Sequence, residues 1–168
     1  MRFEPLELSD YETRRLDNVY GTMYTFTNDA KLAADYVDYY IMPVGSTAVR
    51  YDKGAPHTPR EHSVWAEFAK SPNSYAVFLH GDFPLIKINT ENHNGRKALV
   101  VKESFGNAFA PFLIPHYEEV YVVDQRYFEL NLPDFIKQNG IGDVIFINNI
   151  FAANTGYHIE CIEGMMRR

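Results

Sequence analysis

The second half of the sequence alternates short apolar runs with segments of helical periodicity, and this alternation leaves few possible folds. Three apolar runs predict strands: Ala98–Lys102, Val120–Asp124 and Asp143–Asn148. Two segments between them predict helices: 105–113 and Leu132–Gln138. Strands joined by helices pair in parallel, because right-handed crossovers lay the helices on the faces of the sheet. We therefore expect residues 93–168 to form a βαβαβ unit.

The first half reads differently, as a mostly β region that ends at a polar turn over 92–95. Five segments rich in β-branched and aromatic residues predict strands: Val19–Phe26, Tyr36–Met42, Thr47–Tyr51, Tyr75–Leu79 and Leu85–Asn89. A chain of 168 residues is long enough for one core and short for two. We expect a single domain over 1–168, with a β-rich part over 1–92 and an α/β part over 93–168.

Charge and cysteine content exclude several classes of function. The formal net charge is −6 and basic residues cluster only at the C-terminus, so no nucleic-acid partner is expected. Cys161 is the one cysteine, and no histidines or carboxylates stand at ligand spacing, so we expect no metal and no cofactor. The sequence shows no signal peptide and no membrane-spanning run, which predicts a cytoplasmic location for the chain as written.

Ligands of open parallel sheets bind at the carboxyl ends of the strands, and the polar residues there are the candidate site. They are Glu103, Ser104 and Asn107 after the first strand, Asp124, Arg126 and Tyr127 after the second, and Asn148 and Asn149 after the third. Ser104 lies where a strand turns into a helix, beside backbone N–H groups that can stabilise an oxyanion. On position alone, a helix cap is the preferred interpretation of Ser104 and a nucleophile the alternative.

A serine nucleophile needs a base, normally a histidine held by a carboxylate. His80, followed by Gly81-Asp82, is the best candidate base, although a structural role is the commoner one for such a residue. Arg126 is a candidate for stabilising negative charge, or for fixing the loop by pairing with Asp124. Asn148 is a candidate oxyanion donor, or it satisfies backbone groups at the strand end.

Four stretches together resemble a known family: Gly81–Asn89, Lys97–Leu113, Tyr117–Tyr127 and Ile141–Asn149. They are similar to the DHHW family, bacterial SGNH-hydrolase-like proteins related to alginate O-acetylation enzymes. The resemblance implies an SGNH/flavodoxin-like parallel sheet and an esterase or O-acetyltransferase that acts on polysaccharide outside the cytoplasm through an acyl-serine. Ser104 matches the family serine, with Glu103 in place of the usual Asp. The implied catalytic residues are Ser104, Arg126, Asn148 and His80, and the implied substrate-binding residues are Asn107, Asp124, Tyr127 and Asn149.

The chain departs from the family in one respect that bears on catalysis. The Asp-His-His-Trp motif that supplies the Asp/His pair is expected upstream of the matching region, and Arg60–Trp65 resembles it only superficially. We therefore expect the C-terminal part of such a protein, weak or inactive alone, whose base is provided by an upstream segment or a partner chain. The alternatives are a non-catalytic domain that faces a glycan and, less favoured, a flavodoxin-like binder of small anions. An unpaired sheet edge would also permit a homodimer.

Overall fold

A computed structural model describes residues 5–27, 31–52 and 55–168. Within these ranges eight strands follow in chain order: β1 (Glu12–Val19), β2 (Asp35–Ile41), β3 (Ser46–Asp52), β4 (Ala55–His62), β5 (Leu85–Thr90), β6 (Lys97–Lys102), β7 (Glu119–Asp124) and β8 (Asp143–Ile147). The α-helices are α1 (Thr22–Thr27), α2 (Gly106–Phe109), α3 (Leu132–Asn139), α4 (Ile150–Ala153) and α5 (Gly156–Arg167). Three segments are 3₁₀ helices: Leu8–Asp10, Ser74–Val77 and Ala110–His116.

Six strands form one mixed sheet in the order β4-β3-β5-β7-β6-β8, and β1 pairs with β2 in a separate antiparallel ribbon. The parallel arrangement predicted for the second half is found for β6 with β7 and for β6 with β8. The sheet as a whole is not parallel, because β3, β4 and β5 join it in antiparallel pairs. Only residues 91–96 connect β5 to β6, and a parallel crossover needs about a dozen residues or more. The direction of the chain therefore reverses there.

The central strands carry the core on both faces of the sheet. Leu99, Val100 and Val101 of β6 have no solvent exposure. Because side chains alternate along a strand, Val100 packs in the cluster that includes Ile114, while Leu99 and Val101 pack in the cluster that includes Met165 of α5. This two-sided burial explains why β6 and β7 are continuous apolar runs.

The first half contains the main errors of the sequence prediction. The strand predicted over Val19–Phe26 is wrong, since β1 ends at Val19 and α1 follows. The strand predicted over Tyr75–Leu79 is wrong, since the 3₁₀ helix Ser74–Val77 occupies most of this segment and Phe78, which follows that helix, forms an isolated bridge to Trp65.

One error lies in the second half of the chain. The helix predicted over 105–113 is divided into α2 and the 3₁₀ helix Ala110–His116. Pro111 and Pro115 lack the N–H groups that an α-helix requires, which accounts for the division.

No helix within the described part of the chain has the length and apolar character needed to cross a bilayer.

Candidate functional site

The ends of β6, β7 and β8 lie side by side, since these strands are parallel. Lys102, the last residue of β6, is in register with Asp124 of β7 and Ile147 of β8. The residues that follow each strand therefore meet at one edge of the sheet, as the sequence predicts. Two polar groups of different composition occupy this edge, together with a third set of contacts after β7 and β8.

The first group, here called the ion cluster, consists of Asp82, Lys102, Asp124 and Arg126. Lys102 Nζ lies 2.8 Å from Asp82 Oδ1 and 3.0 Å from Asp124 Oδ2. Arg126 Nη2 lies 2.7 Å from Asp82 Oδ2 and 2.6 Å from Asp124 Oδ2, and its Nε donates to Asp124 Oδ1 at 2.8 Å. Each carboxylate thus contacts both cations. The side chains of Lys102 and Asp124 are fully buried, so this balance of charge is what permits their burial.

The surroundings of Asp82 favour its ionised form. Burial acts to raise the pKa of Asp82, but the charge of Lys102 and hydrogen bonds from Lys102, Asn107 and Arg126 outweigh it, and the pKa is lowered. The Asn107 amide contributes by donating to Asp82 Oδ1 at 2.8 Å. Hydrogen bonds to Asp124 are the main cause of the raised pKa of Arg126. Asp82 and Arg126 are therefore both charged near neutral pH.

A left-handed bend brings Asp82 to the cluster. Leu79, His80 and Gly81 have φ angles of 56°, 63° and 106°, respectively. Two consecutive non-glycine residues in this region cost about 1–2 kcal/mol each, and such strain persists only where the surrounding structure enforces it. The ion pairs of Asp82 with Lys102 and Arg126 provide that enforcement.

The second group, here called the serine turn, consists of Glu103, Ser104, Phe105 and Asn149. Glu103 is only 4% exposed, and its Oε2 accepts hydrogen bonds from Ser104 Oγ at 3.2 Å and from the Phe105 N–H at 3.3 Å. Its Oε1 accepts from the Asn149 N–H at 3.1 Å. The Glu103 carboxylate thereby joins the turn after β6 to the end of β8. Hydrogen bonds to neutral donors, rather than ion pairs, satisfy it.

Ser104 does not cap the following helix. The N-cap position of α2 is Phe105, which makes no side-chain capping bond, and the Ser104 hydroxyl donates to Glu103. The backbone carbonyl of Ser104 accepts from Tyr75 Oη at 2.8 Å. Immediately beyond, a Cβ on Gly106 would lie 2.3 Å from Lys102 Cβ, so the turn packs directly on the buried lysine. The capping interpretation of Ser104 is therefore wrong.

The residues after β7 and β8 form a third set of contacts. Gln125 Nε2 donates to Asn148 Oδ1 at 2.8 Å and lies 2.8 Å from His158 Nδ1 of α5. The Asn149 side chain accepts from the N–H groups of Phe151 and Ala152, which makes it the N-cap of α4. The Arg126 guanidinium lies over the Tyr127 ring, with 5.1 Å between Arg126 Cζ and the ring centroid. Asn148 and Asn149 thus lie at the predicted edge, but the Asn149 side chain is engaged in capping.

His80 lies apart from the serine turn in its contacts. Its Nε2 is 2.9 Å from the Ser63 carbonyl oxygen, and its ring packs on His62 with the two centroids 4.1 Å apart. Burial, together with the neighbouring His62, lowers the pKa of His80.

Of the residues predicted for the site, the structure gathers the following where β6, β7 and β8 end: Ser104, Asn107, Asp124, Arg126, Tyr127, Asn148 and Asn149.

Sequence reasoning assigned no role to Asp82, Lys102, Gln125 or His158. A lysine at the end of a buried strand is a signal for Lys102, since such a charge needs a partner. Asp82 attracts notice in the sequence only as a neighbour of His80, and its pairing depends on the topology. Among the described residues, no cluster of three metal-ligating side chains occurs.

Comparison with known proteins adds to this geometry. The model of the family described as DHHW protein matches residues 8–123. The crystal structure of a DHHW family protein from Eubacterium siraeum superposes with a TM-score of 0.83 at 36% identity, covering 97% of this chain and 55% of that protein. Two structures of Bacillus cereus PatB1, one with a sulfonyl adduct, give TM-scores of 0.69 and 0.67 at 24% and 25% identity. They cover 88% and 89% of this chain and 50% and 52% of theirs. No curated protein matches the chain. The chain thus spans about half the length of the solved structures it matches.

Proposed function

From the premise that this chain belongs to the DHHW family, we propose that it is part of a serine acyl-transfer enzyme of the SGNH-hydrolase type. The proposed reaction is ester hydrolysis or O-acetyl transfer on a polysaccharide, with Ser104 as the nucleophile. The observation that supports this proposal is the position and hydrogen bonding of the Ser104 hydroxyl. It lies at the strand-to-helix turn, half-buried, and it donates to a buried carboxylate instead of capping the helix.

In the proposed step, Ser104 Oγ attacks the carbonyl carbon of an acyl ester while its proton passes to a base. The tetrahedral intermediate then expels the alcohol, which takes the proton back from the base. Water or a sugar hydroxyl next attacks the acyl-serine, giving its proton to the base; the bond between Ser104 Oγ and the acyl group breaks, and the proton returns to Ser104. Two other residues at this edge are proposed to have supporting roles. Arg126 fixes the loop after β7 by pairing with Asp82 and Asp124, and Asn148 donates a side-chain amide N–H to the oxyanion.

We propose that an upstream segment or a partner chain supplies the base. No histidine in the described part of the chain makes a hydrogen bond to Ser104 Oγ, whose partner is Glu103 Oε2. Two of the described histidines, His80 and His158, contact Ser63 and Gln125 instead. A carboxylate is a weak base for a serine hydroxyl near neutral pH, so slow turnover by this chain alone is expected.

The three hydrogen bonds that Glu103 accepts favour a second candidate function, a non-catalytic domain that keeps the fold and binds a glycan or another polypeptide. In that case the Glu103 carboxylate only fixes the turn after β6, and Ser104 is one of its donors. The two functions differ in whether the Ser104 hydroxyl reacts with an electrophile.

Labelling with phenylmethylsulfonyl fluoride, followed by peptide mass spectrometry, distinguishes them. The acyl-transfer function predicts a sulfonyl group on Ser104 and p-nitrophenyl acetate hydrolysis that Ser104→Ala abolishes. Ser46→Ala is the matched control, because Ser46 is also half-buried but lies on β3, away from the serine turn. Equal hydrolysis by the original chain and by Ser104→Ala, without label on Ser104, would contradict catalysis by Ser104 in this chain and favour the non-catalytic alternative.

A further inference from the structure

The outermost strands of the six-stranded sheet, β4 and β8, differ in what they present to another polypeptide. β4, at one edge, contains Pro59, Arg60 and Glu61 within its last residues, and Arg60 pairs with Asp52. Proline removes a backbone donor, and charged side chains oppose the approach of another strand. β8, at the other edge, has the sequence Asp-Val-Ile-Phe-Ile. By the same criteria, β8 is open to strand addition and β4 is protected from it.

The surface beside the β8 edge is apolar and exposed. Val144 and Phe146 are 39% and 49% exposed, whereas Ile145 and Ile147 of the same strand pack against the core. The surface continues onto α4, where Ile150 and Phe151 are 72% and 82% exposed. These four exposed residues, Val144, Phe146, Ile150 and Phe151, are here called the β8 surface. So much exposed apolar area beside a strand edge is typical of an interaction site.

An open concavity of about 840 Å³ connects the β8 surface with the serine turn. Ile150 and Phe151 line it from α4, and Phe105 and Asn149 line it from the serine turn. A polypeptide that covers α4 therefore also reaches the neighbourhood of Ser104.

The relatives of known structure are about twice as long as the unit they share with this chain. The Eubacterium siraeum protein contains nearly all of this chain as a structural unit, yet the unit accounts for only 55% of its length. The PatB1 structures show a similar proportion, at 50% and 52%. In all three structures, nearly as much polypeptide again accompanies the unit, and β8 is the sheet edge able to accept it.

We propose that β8 binds a β-strand from a polypeptide of the kind that makes up the rest of these relatives. The added strand would hydrogen-bond along β8 and place apolar side chains against Val144 and Phe146. Its continuation would cover Ile150 and Phe151. This proposal concerns an interface and does not depend on the chemistry of Ser104.

Hydrogen exchange tests the proposal in a chimera in which this chain replaces the matching part of the Eubacterium siraeum protein. The amides of residues 143–147 are expected to exchange at least about tenfold more slowly in the chimera than in the chain alone, because the second side of β8 becomes hydrogen-bonded. The amides of residues 58–62 in β4 are the internal control and should not change. Equal exchange of β8 in both proteins would overturn the proposal.

Substitution of the central aromatic residue gives a second test. Phe146→Lys should lower the Tm of the chimera more than that of the chain alone, since the lysine would be buried only in the chimera. Phe26→Lys, at an exposed phenylalanine of α1, is the matched control and should have equal effects in both proteins. Equal shifts for Phe146→Lys would contradict the proposal.

Light scattering tests whether a second copy of this chain occupies β8 instead. If the chain alone is a dimer whose β8 amides are already protected, the second copy is the occupant and the proposal is wrong. Should the chimera not fold, exchange is measured in the Eubacterium siraeum protein itself at the positions equivalent to residues 143–147. Fast exchange there would overturn the proposal equally.

Discussion

The ion cluster and the serine turn lie at the same sheet edge but satisfy their buried carboxylates in different ways. Asp82 and Asp124 each contact two cations, and the group carries no net charge. Glu103 accepts three hydrogen bonds from neutral donors, one of them a half-buried hydroxyl. The difference indicates a division of labour: the ion cluster holds three segments of the chain together, and the serine turn presents a side chain. Their predicted responses to substitution separate accordingly.

The largest effect is expected from Lys102→Met, which leaves Asp124 buried without one of its cations. Breaking a buried pair by removing one partner costs about 3–5 kcal/mol of unfolding free energy. Urea denaturation at neutral pH measures it. Lys97→Met is the control. The Lys97 side chain is 30% exposed and pairs with Glu119, and an ion pair near the surface contributes about 1 kcal/mol or less. A loss of about 1 kcal/mol or less in both variants would show that the ion cluster is not essential to the fold.

A smaller effect is expected from acid. The pKa of Asp82 is lowered in the folded protein, so its ionisation contributes stability above the unfolded-state pKa of about 3.9, and that contribution is lost as the pH falls through the folded value. Glu119 behaves alike, since hydrogen bonds from Lys87, Lys97 and Tyr121 overcome the effect of burial and lower its pKa to about 2. Urea midpoints between pH 7 and pH 2 should therefore fall mainly below about pH 4. In Asp82→Asn, which is less stable at neutral pH, the decline should be shallower; an unchanged slope would exclude Asp82 as a contributor.

The smallest effect on stability is expected from Ser104→Ala. The variant removes one of three donors to Glu103 and leaves those of Phe105 and Asn149, so the change in unfolding free energy should be about 1 kcal/mol or less. The same urea experiment measures it. A loss as large as that of Lys102→Met would assign Ser104 to the structural framework and remove the contrast between the two groups.

Much of the second half of the fold follows from its sequence. β6, β7, α3 and β8 were predicted at nearly their observed positions, because strands buried on both faces are continuous apolar runs and α3 ends at a glycine with φ of 64°. β1 and β4 were missed for the opposite reason. Their sequences, Glu-Thr-Arg-Arg-Leu-Asp-Asn-Val and Ala-Pro-His-Thr-Pro-Arg-Glu-His, lack an apolar periodicity, and pairing with β2 and β3 defines them as strands.

The site was predictable in position but not in partnership. Parallel strands bring Ser104, Asp124 and Asn148 to one edge, and this can be stated from the order of elements alone. The pairing of Asp82 with Lys102 and Arg126 could not, because it depends on the left-handed bend over 79–81 and on β5 running antiparallel to β7. No local signal in the sequence specifies left-handed backbone at Leu79 and His80, and the short connection over 91–96 indicates a reversal of direction without specifying which strand β5 pairs with.

The burial of Lys102 and Asp124 has a consequence for the response of the protein to ionic strength. Dissolved ions largely screen the interaction between exposed charges that lie further apart than about 8–10 Å at physiological salt, or about 3 Å at 1 M salt, but they have little access to groups from which water is excluded. The exposed pair of Arg15 and Asp38 on the β1–β2 ribbon should therefore weaken in concentrated salt, whereas the attraction that holds the ends of β6 and β7 should persist. High salt would weaken the β1–β2 ribbon and leave the strand ends that present Ser104 in place.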